Sequence, residues 1–290
     1  MDGIIIINKG KNCTSHDVVY KAKKILNEKI GHTGTLDPNA TGVLPLLVGK
    51  GTLISKYLIN HDKIYEATIK LGIQTDTADS EGKVIKEDSE VKLESEEYVK
   101  KILNSFIGKQ EQIPPMYSAI KVNGKKLYEY ARKGQQIEIQ PRRIEIYNIK
   151  LENIDYQNKE IKYMVECSKG TYIRSLCEDI AKKLNTVGYM KELNRIQVGE
   201  FHIENSITIE ELQENQEKQE YINSKIITIE KLFENKEKIV LNEKRIKMYL
   251  NGVRLEENKP DDVYKIYDLN NKFIGLGIIE NKKLKRDVVL

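Results

Sequence analysis

The stretch GIIIINKGKNCTSHDVVYKAKKIL, residues 3–26, carries two periodicities in succession. Four consecutive isoleucines closed by glycines predict a short buried strand. The segment from Thr14 predicts a helix, with Ser15 as N-cap and Val18, Val19, Ala22, Ile25 and Leu26 recurring at helical spacing. Working outward, GVLPLLVGKGT (42–52) reads as a buried segment broken by Pro45, and KIYEATIKLGIQT (63–75) as a strand. A helix is expected over 95–106, then a PP turn, an NG turn and a helix on Leu127, Tyr128 and Ala131 within IPPMYSAIKVNGKKLYEYARKG (113–134). RRIEIYNIKLENIDY and IKYMVECSKGTYI predict strands, and SLCEDIAKKLN a helix. Strands and helices mix without a regular βαβ period, so the class is α+β.

Residues 209–235, rich in Glu, Gln, Asn and Lys, are expected to lead out of this first domain. The final VYKIYDLNNKFIGLGIIENKKLKRDVVL (263–290) predicts two or three strands in a small β-barrel-like unit. The expected division is 1–230 and 231–290.

The bulk properties narrow the function classes. At 290 residues the chain can bury a substantial core, and 39% hydrophobic against 32% charged residues is ordinary for a folded globular protein. Forty-eight Lys and Arg against 44 Asp and Glu leave +4, a mild excess that permits polyanion binding. Basic residues gather at Lys121–Lys126, at Arg132 and Lys133, at Arg142 and Arg143 and in KKLKR (282–286), while 204–220 is acidic, as expected of a basic face opposite a solvated one. Cys13, Cys167 and Cys177 lack CxxC spacing, so neither a disulfide framework nor a zinc site is indicated and the reducing cytosol is the expected compartment. No apolar run approaches the roughly 18 residues of a membrane span, and the N-terminus has no leader pattern, so no export or anchoring is expected.

Two phosphate-loop readings fail. Six residues separate Gly42 from Gly49, and Gly51 stands where a magnesium-binding Ser or Thr belongs; GHTG lacks the third glycine and distant acid of a dinucleotide fold. In GHTGTLDPNATG (31–42) the tetrapeptide around Asp37 is by itself most simply a type I turn. The flanking glycines and the apolar segment that follows turn the balance toward a functional carboxylate held by a rigid scaffold. His32 has no partner at metal-ligand spacing, and His16, His61 and His202 are too scattered to support a Ser-His-Asp triad. In CSKGTYIRSL (167–176) an apparent strand puts Tyr172 and Arg174 on one side by the two-residue period. An aromatic ring beside a guanidinium could hold a nucleobase and neutralise a carboxylate; a half-buried strand with an exposed Arg explains the pair equally well. Tyr65 fits a core position as readily as a stacking one.

Read together, these segments resemble the bacterial tRNA pseudouridine-55 synthases, the TruB family. The resemblance runs through GIIIINKGKNCTSHDVV, GHTGTLDPNATGVLPLLVGKGT, IYEATIKLGIQTDTADSEG, QIPPMYSAIKVNGKKLYEYARKG, CSKGTYIRSLCEDIA and ELNRIQVGEF, covering nearly all of residues 1–206. It implies a pseudouridine synthase fold, a large mixed, mainly antiparallel sheet flanked by helices, with a short C-terminal PUA-like RNA-binding domain. It also implies isomerisation of uridine 55 in the tRNA T-loop by base flipping, without cofactor, metal, guide RNA or accessory protein, in a cytoplasmic monomer. The GxLDPxATG aspartate is Asp37, the catalytic residue; the KxYxA tyrosine is Tyr65, the GTYIR pair Tyr172 and Arg174, and the LxR leucine Leu193. In that frame Tyr65 stacks on the flipped base, Leu193 is an apolar wall, Arg174 pairs with Asp37 and keeps it ionised, and Tyr172 assists proton removal from C5. His32 holds the loop or displaces a neighbouring base. NKGKNCTS departs from the family's DKPxGxTS, with Asn8, Gly10 and Asn12 at altered positions, and GKGTLIS replaces GKATK. The same cleft also suits a tRNA-folding chaperone with no need of catalysis, or a guide-dependent enzyme. A metal-dependent hydrolase lacks a ligand cluster.

Overall fold

The computed structural model describes residues 1–290 apart from Glu94 and Gln136. The principal sheet contains β1 (Gly3–Lys9), β2 (Ile30–His32), β3 (Thr41–Val48), β4 (Lys63–Leu71), β5 (Gly108–Gln112), β6 (Arg142–Asp155), β7 (Glu160–Cys167), β8 (Gly188–Val198) and β9 (Ile226–Thr228). Its strand order is β9-β1-β3-β8-β4-β7-β6-β5, with β2 on β3 and the short strand Phe201–His202 on β8. The pairings are antiparallel except where Thr41 and Gly42 of β3 run parallel to Asn194 and Arg195 of β8. That junction joins the two halves of the sheet.

The four isoleucines of β1 are buried on both faces. Ile5 and Ile7 pack with Val18, Ala22 and Leu26 of α1 (Ser15–Leu26), whereas Ile4 and Ile6 pack with Leu276 and Val288 of the C-terminal sheet. A strand sandwiched in this way has no polar alternation to show, which is why the run is continuous. In the other half, alternate β4 residues Tyr65, Ala67, Ile69 and Leu71 share a core with Val99 and Leu103 of α2 (Glu96–Asn104) and with Leu176, Ile180 and Ala181 of the later helix 173–183. The NG turn joins the small hairpin Lys121–Val122/Lys125–Lys126, which leads into α3 (Leu127–Ala131).

Several local expectations are corrected. Thr14, not Ser15, caps α1: its hydroxyl accepts from Asp17 N and Asp17 reaches back to Thr14 N, a complete capping box. Pro45 does not break β3. It sits between the stretches of β3 that pair with β8 and with β2, where a missing N–H can be accommodated. The 209–235 region does not simply lead away, because its β9 returns to pair with β1. The stretch 263–290 forms three strands, within the expected two or three, and two short strands before it complete a five-stranded unit: β10 (Lys238–Val240), β11 (Leu255–Glu256), β12 (Val263–Tyr267), β13 (Phe273–Glu280) and β14 (Lys283–Val289), ordered β10-β12-β13-β14-β11. Asp287 of β14, accepting from the Tyr57 hydroxyl at 2.5 Å, ties this sheet to the short helix 55–58 that connects β3 to β4.

Candidate active site

Three side chains fix the loop between β2 and β3. The buried hydroxyl of Ser15, freed from capping, accepts from Leu36 N at 2.9 Å and lies 3.2 Å from Leu36 O. Lys9, 1% exposed, donates from Nζ to Pro38 O at 2.9 Å and to Cys13 O at 2.7 Å. Arg195, also 1% exposed, donates to Gly34 O at 3.1 Å and to Val43 O at 2.8 Å. The residues on both sides of Asp37 are therefore clamped, and Asp37 O accepts from Ala40 N at 3.1 Å, closing the turn expected of Asp-Pro-Asn. Gly42 at the loop's exit has φ +106, and a Cβ there would meet Arg195 O at 2.2 Å, so only glycine lets β3 approach β8.

Tyr172 and Arg174 are not on a strand. β7 ends at Cys167, the chain turns through Gly170 at φ +80, and Tyr172 is the N-cap of α4 (Ile173–Lys183), with Arg174 in its first turn. The two still reach one cleft, because an N-cap residue and its successors fan out from the helix start. Gln112 fixes this start, accepting from Tyr172 N at 2.8 Å and donating to Tyr172 O at 3.0 Å.

The Arg174 guanidinium meets the Asp37 carboxylate, Nε to Oδ2 at 3.0 Å and Nη2 to Oδ1 at 3.3 Å. It also donates to Tyr117 O at 2.9 Å and Thr77 O at 3.2 Å, with Asp79 Oδ2 at 3.6 Å from Nη1. The Arg side chain is 7% exposed and the Asp side chain 35%, so the carboxylate faces the cleft while its partner is locked behind it. Crowding by the protein pushes the Asp37 pKa up; Arg174 and Lys9 oppose this, and Asp79 and Glu81 reinforce it. Arg174 thus limits the rise without reversing it.

The cleft has a volume of about 870 Å³. Asp37 is its lone lining carboxylate among the described residues, against Lys63, Arg142, Arg143, Lys169, Arg174 and Arg195. Tyr65, Tyr172 and Leu193 line it too. Burial pushes the hydroxyls of Tyr65 and Tyr172 up, keeping both neutral near pH 7. His32 does not line the cleft; it ends β2, immediately before the lining residues Thr33 and Gly34. Its Nδ1 is buried without a partner, and burial pushes its pKa down. Sequence reasoning missed Lys9, Ser15, Gln112 and Arg195 as supports. The available signal was a charged or polar residue inside an apolar run or strand, as in IIIINK and LNRIQV. Among the described residues no group of three or more His, Cys, Asp or Glu could hold a metal ion, and no helix is long and apolar enough to cross a membrane.

A carboxylate gripped by a buried guanidinium in a cationic, tyrosine-lined cleft suits chemistry on a nucleotide, and the comparisons with known proteins agree. The N-terminal domain of the TruB family pseudouridylate synthases matches residues 22–173, and the tRNA pseudouridylate synthase B C-terminal domain matches 174–234. The chain belongs to the TruB family. Proteins named tRNA pseudouridine synthase B are similar across its length: 44% identity with that of Clostridium kluyveri over 98% of each chain, and 46% with that of Clostridium novyi over the whole of both. Among solved structures, a Cbf5-Nop10-Gar1 complex matches with a TM-score of 0.70 and 26% identity over 99% of this chain and 83% of that one. An H/ACA ribonucleoprotein bound to a substrate RNA containing 2′-deoxyuridine matches at 0.68, with 26% identity over the same shares. The two TruB matches meet at Arg174, inside α4, whereas the principal sheet runs through both; β8 lies in the second match and pairs with β3 and β4 of the first.

Proposed function

We infer that this TruB protein converts uridine 55 in the T-loop of tRNA to pseudouridine, with Asp37 as the catalytic carboxylate. The observation that carries the reading is the Asp37–Arg174 pair facing a cleft whose other charged lining groups are cationic, as a polyanionic substrate requires. Full-length likeness to proteins named tRNA pseudouridine synthase B favours the enzyme over a tRNA-folding module without need of catalysis.

The reaction breaks the C1′–N1 bond, turns the base without releasing it and joins C5 to C1′. A carboxylate serves as nucleophile at C1′ or as base at C2′, and either role needs it ionised. A base stacked in the T-loop lies out of reach, so the nucleotide flips into the cleft at a cost of a few kcal/mol, offset by stacking on Tyr65 and by phosphate contacts with the cationic rim. Leu193 is the apolar wall. Tyr172 assists removal of the C5 proton; because burial raises its pKa, it does so as a neutral phenol that passes a proton on rather than as a standing phenolate. His32 supports the loop or displaces a neighbouring base. The isomerisation exchanges one bond within a nucleotide, with no net redox change and no added group, so its chemistry calls for neither cofactor nor metal. We further propose that residues 1–230 form the catalytic domain and 231–290 a PUA-like RNA-binding domain, and that the protein acts as a cytoplasmic monomer on free tRNA without guide RNA or accessory protein.

Tritium release from tRNA labelled at uridine C5 tests the reading. The wild-type protein is expected to release label unaided, and Asp37→Asn to bind tRNA while releasing none. No release by the wild type, or undiminished release by Asp37→Asn, overturns it.

A further inference from the structure

The site holds two buried guanidiniums with unlike surroundings. Arg174 has Asp37 and Asp79 beside it. Arg195 donates to Val43 O, Gly34 O and Thr35 O, all neutral carbonyls, and among the described residues no carboxylate forms an ion pair with it. A fully buried cation without a counter-charge is costly, and such costs are retained where a negative charge arrives in the course of function. Arg195 is the cross-strand partner of Tyr65, and both line the cleft.

The charge bookkeeping of the isomerisation identifies that arrival. If Asp37 attacks C1′, the C1′–N1 electron pair leaves on N1, giving a neutral ester and a uracil anion. If Asp37 instead takes the C2′ proton, the C2′–H pair becomes the C1′–C2′ double bond and the N1 pair departs in the same way, giving a neutral carboxylic acid and a uracil anion. Either way one negative charge leaves Asp37, the partner of Arg174, and appears on the base, spread over its ring nitrogens and carbonyl oxygens. When C5 then bonds to C1′, the charge returns to Asp37, by release of the ester or by return of the proton to C2′, and the C5 proton moves to N1 through solvent.

We propose that Arg195 is the electrostatic partner of the detached uracil anion, acting across Tyr65 as Arg174 acts on the carboxylate. At 1% exposure Arg195 does not touch the substrate; it is a positioning residue whose fixed charge lies beside Tyr65, its cross-strand partner, on which the base would stack. A preorganised charge aimed at where charge develops is a large catalytic term in a site that excludes water. The proposal rests on the reading of the protein as a uridine isomerase with Asp37 as its carboxylate.

The test is single-turnover loss of the N-glycosidic nucleoside from tRNA carrying uridine or 5-fluorouridine at the target position. Fluorine withdraws electron density and stabilises the base anion by itself, so it substitutes in part for an external cation. Arg195→Gln, neutral but able to donate to the loop carbonyls, is expected to lose about 100-fold on uridine and about tenfold on 5-fluorouridine. Arg195→Lys, which keeps the charge, should stay within about tenfold of wild type on uridine, and tRNA affinity should change little in either variant. Equal losses of Arg195→Gln on the two substrates, or a folded Arg195→Lys as slow as a folded Arg195→Gln, overturn the proposal in favour of a scaffold role. Should Arg195→Gln not melt cooperatively, the wild type decides. Similar rates on the two bases support an enzyme-held anion, whereas a rate about 100-fold higher on 5-fluorouridine overturns it. A wild type that turns over neither base sinks the underlying functional reading instead.

Discussion

Replacing Arg174 by Met removes the counter-charge of Asp37 while keeping the length of the side chain. The guanidinium makes two contacts with Asp37, at 3.0 and 3.3 Å, and satisfies Tyr117 O and Thr77 O. Breaking a buried ion pair by deleting one partner costs about 3–5 kcal/mol. Asp37 is a third exposed and can recover some hydration, so the lower end, about 3 kcal/mol, is expected for stability. The effect on activity follows from sign. Burial already raises the Asp37 pKa in the wild type, with Arg174 the largest opposing influence. Activity that needs the carboxylate is therefore lost as pH falls through a pKa above the ordinary carboxylate value, and without Arg174 that acid limb moves to higher pH. The linked stability has the same origin. A carboxyl with a raised folded pKa favours the folded state when protonated, and that contribution is lost as pH rises through the folded value. Single-turnover tritium release from about pH 5 to about pH 9 should show the Arg174→Met limb displaced upward, with a pH-independent plateau reduced on the order of 100-fold by misorientation of Asp37. A wild-type plateau, or a limb displaced to lower pH, refutes the assignment of Arg174 as the partner that holds Asp37 ionised.

Adjacent residues of α1 separate stability from activity. Thr14→Ala removes the capping box and should cost about 1 kcal/mol in denaturant unfolding with kcat unchanged; Ser15→Ala leaves Leu36 N without its buried acceptor, costing about 1–3 kcal/mol and lowering kcat through a loosened Asp37 loop. Equal kcat values for the two variants would count against the clamp. Lys169, a cleft-lining cation bonded to Asn60 Oδ1 at 2.6 Å, is expected to contact a phosphate, so Lys169→Gln should reduce the slope of log affinity against log salt by about 1; an unaltered slope removes it from the contact set.

Local patterns were legible where a single element set them. The buried strand β1, the turn at Asp37 and the helix over 95–106 follow from β-branching, Asp-Pro-Asn chemistry and apolar spacing. The Tyr172–Arg174 pairing was inferred on a strand and is achieved instead at a helix start, since residues two apart can converge from either geometry when Gly170 turns the chain. Ser15 looked like a cap because a cap and a buried anchor share the same hydroxyl; the neighbouring Thr14–Asp17 box took the capping role and left Ser15 to bind Leu36. The three strands of 263–290 were legible from their alternation and turns, whereas β10 and β11, with three and two residues, are too short to display a period.

The sequence alone determined the α+β class and the family and singled out Asp37 as the candidate carboxylate, because these rest on residue types at fixed short spacings that need no knowledge of what lies across the fold. The tertiary structure decided what surrounds that carboxylate. Asp37 and Arg174 are separated by 137 positions and meet because β3 and β8 join the two halves of the sheet, at a point only Gly42 permits. In sequence Lys9 and Arg195 are only charged residues within strands, and burial against backbone carbonyls makes them supports of the loop that carries Asp37. Contacts of this kind depend on sheet order and on desolvation, neither of which a local pattern of side chains encodes.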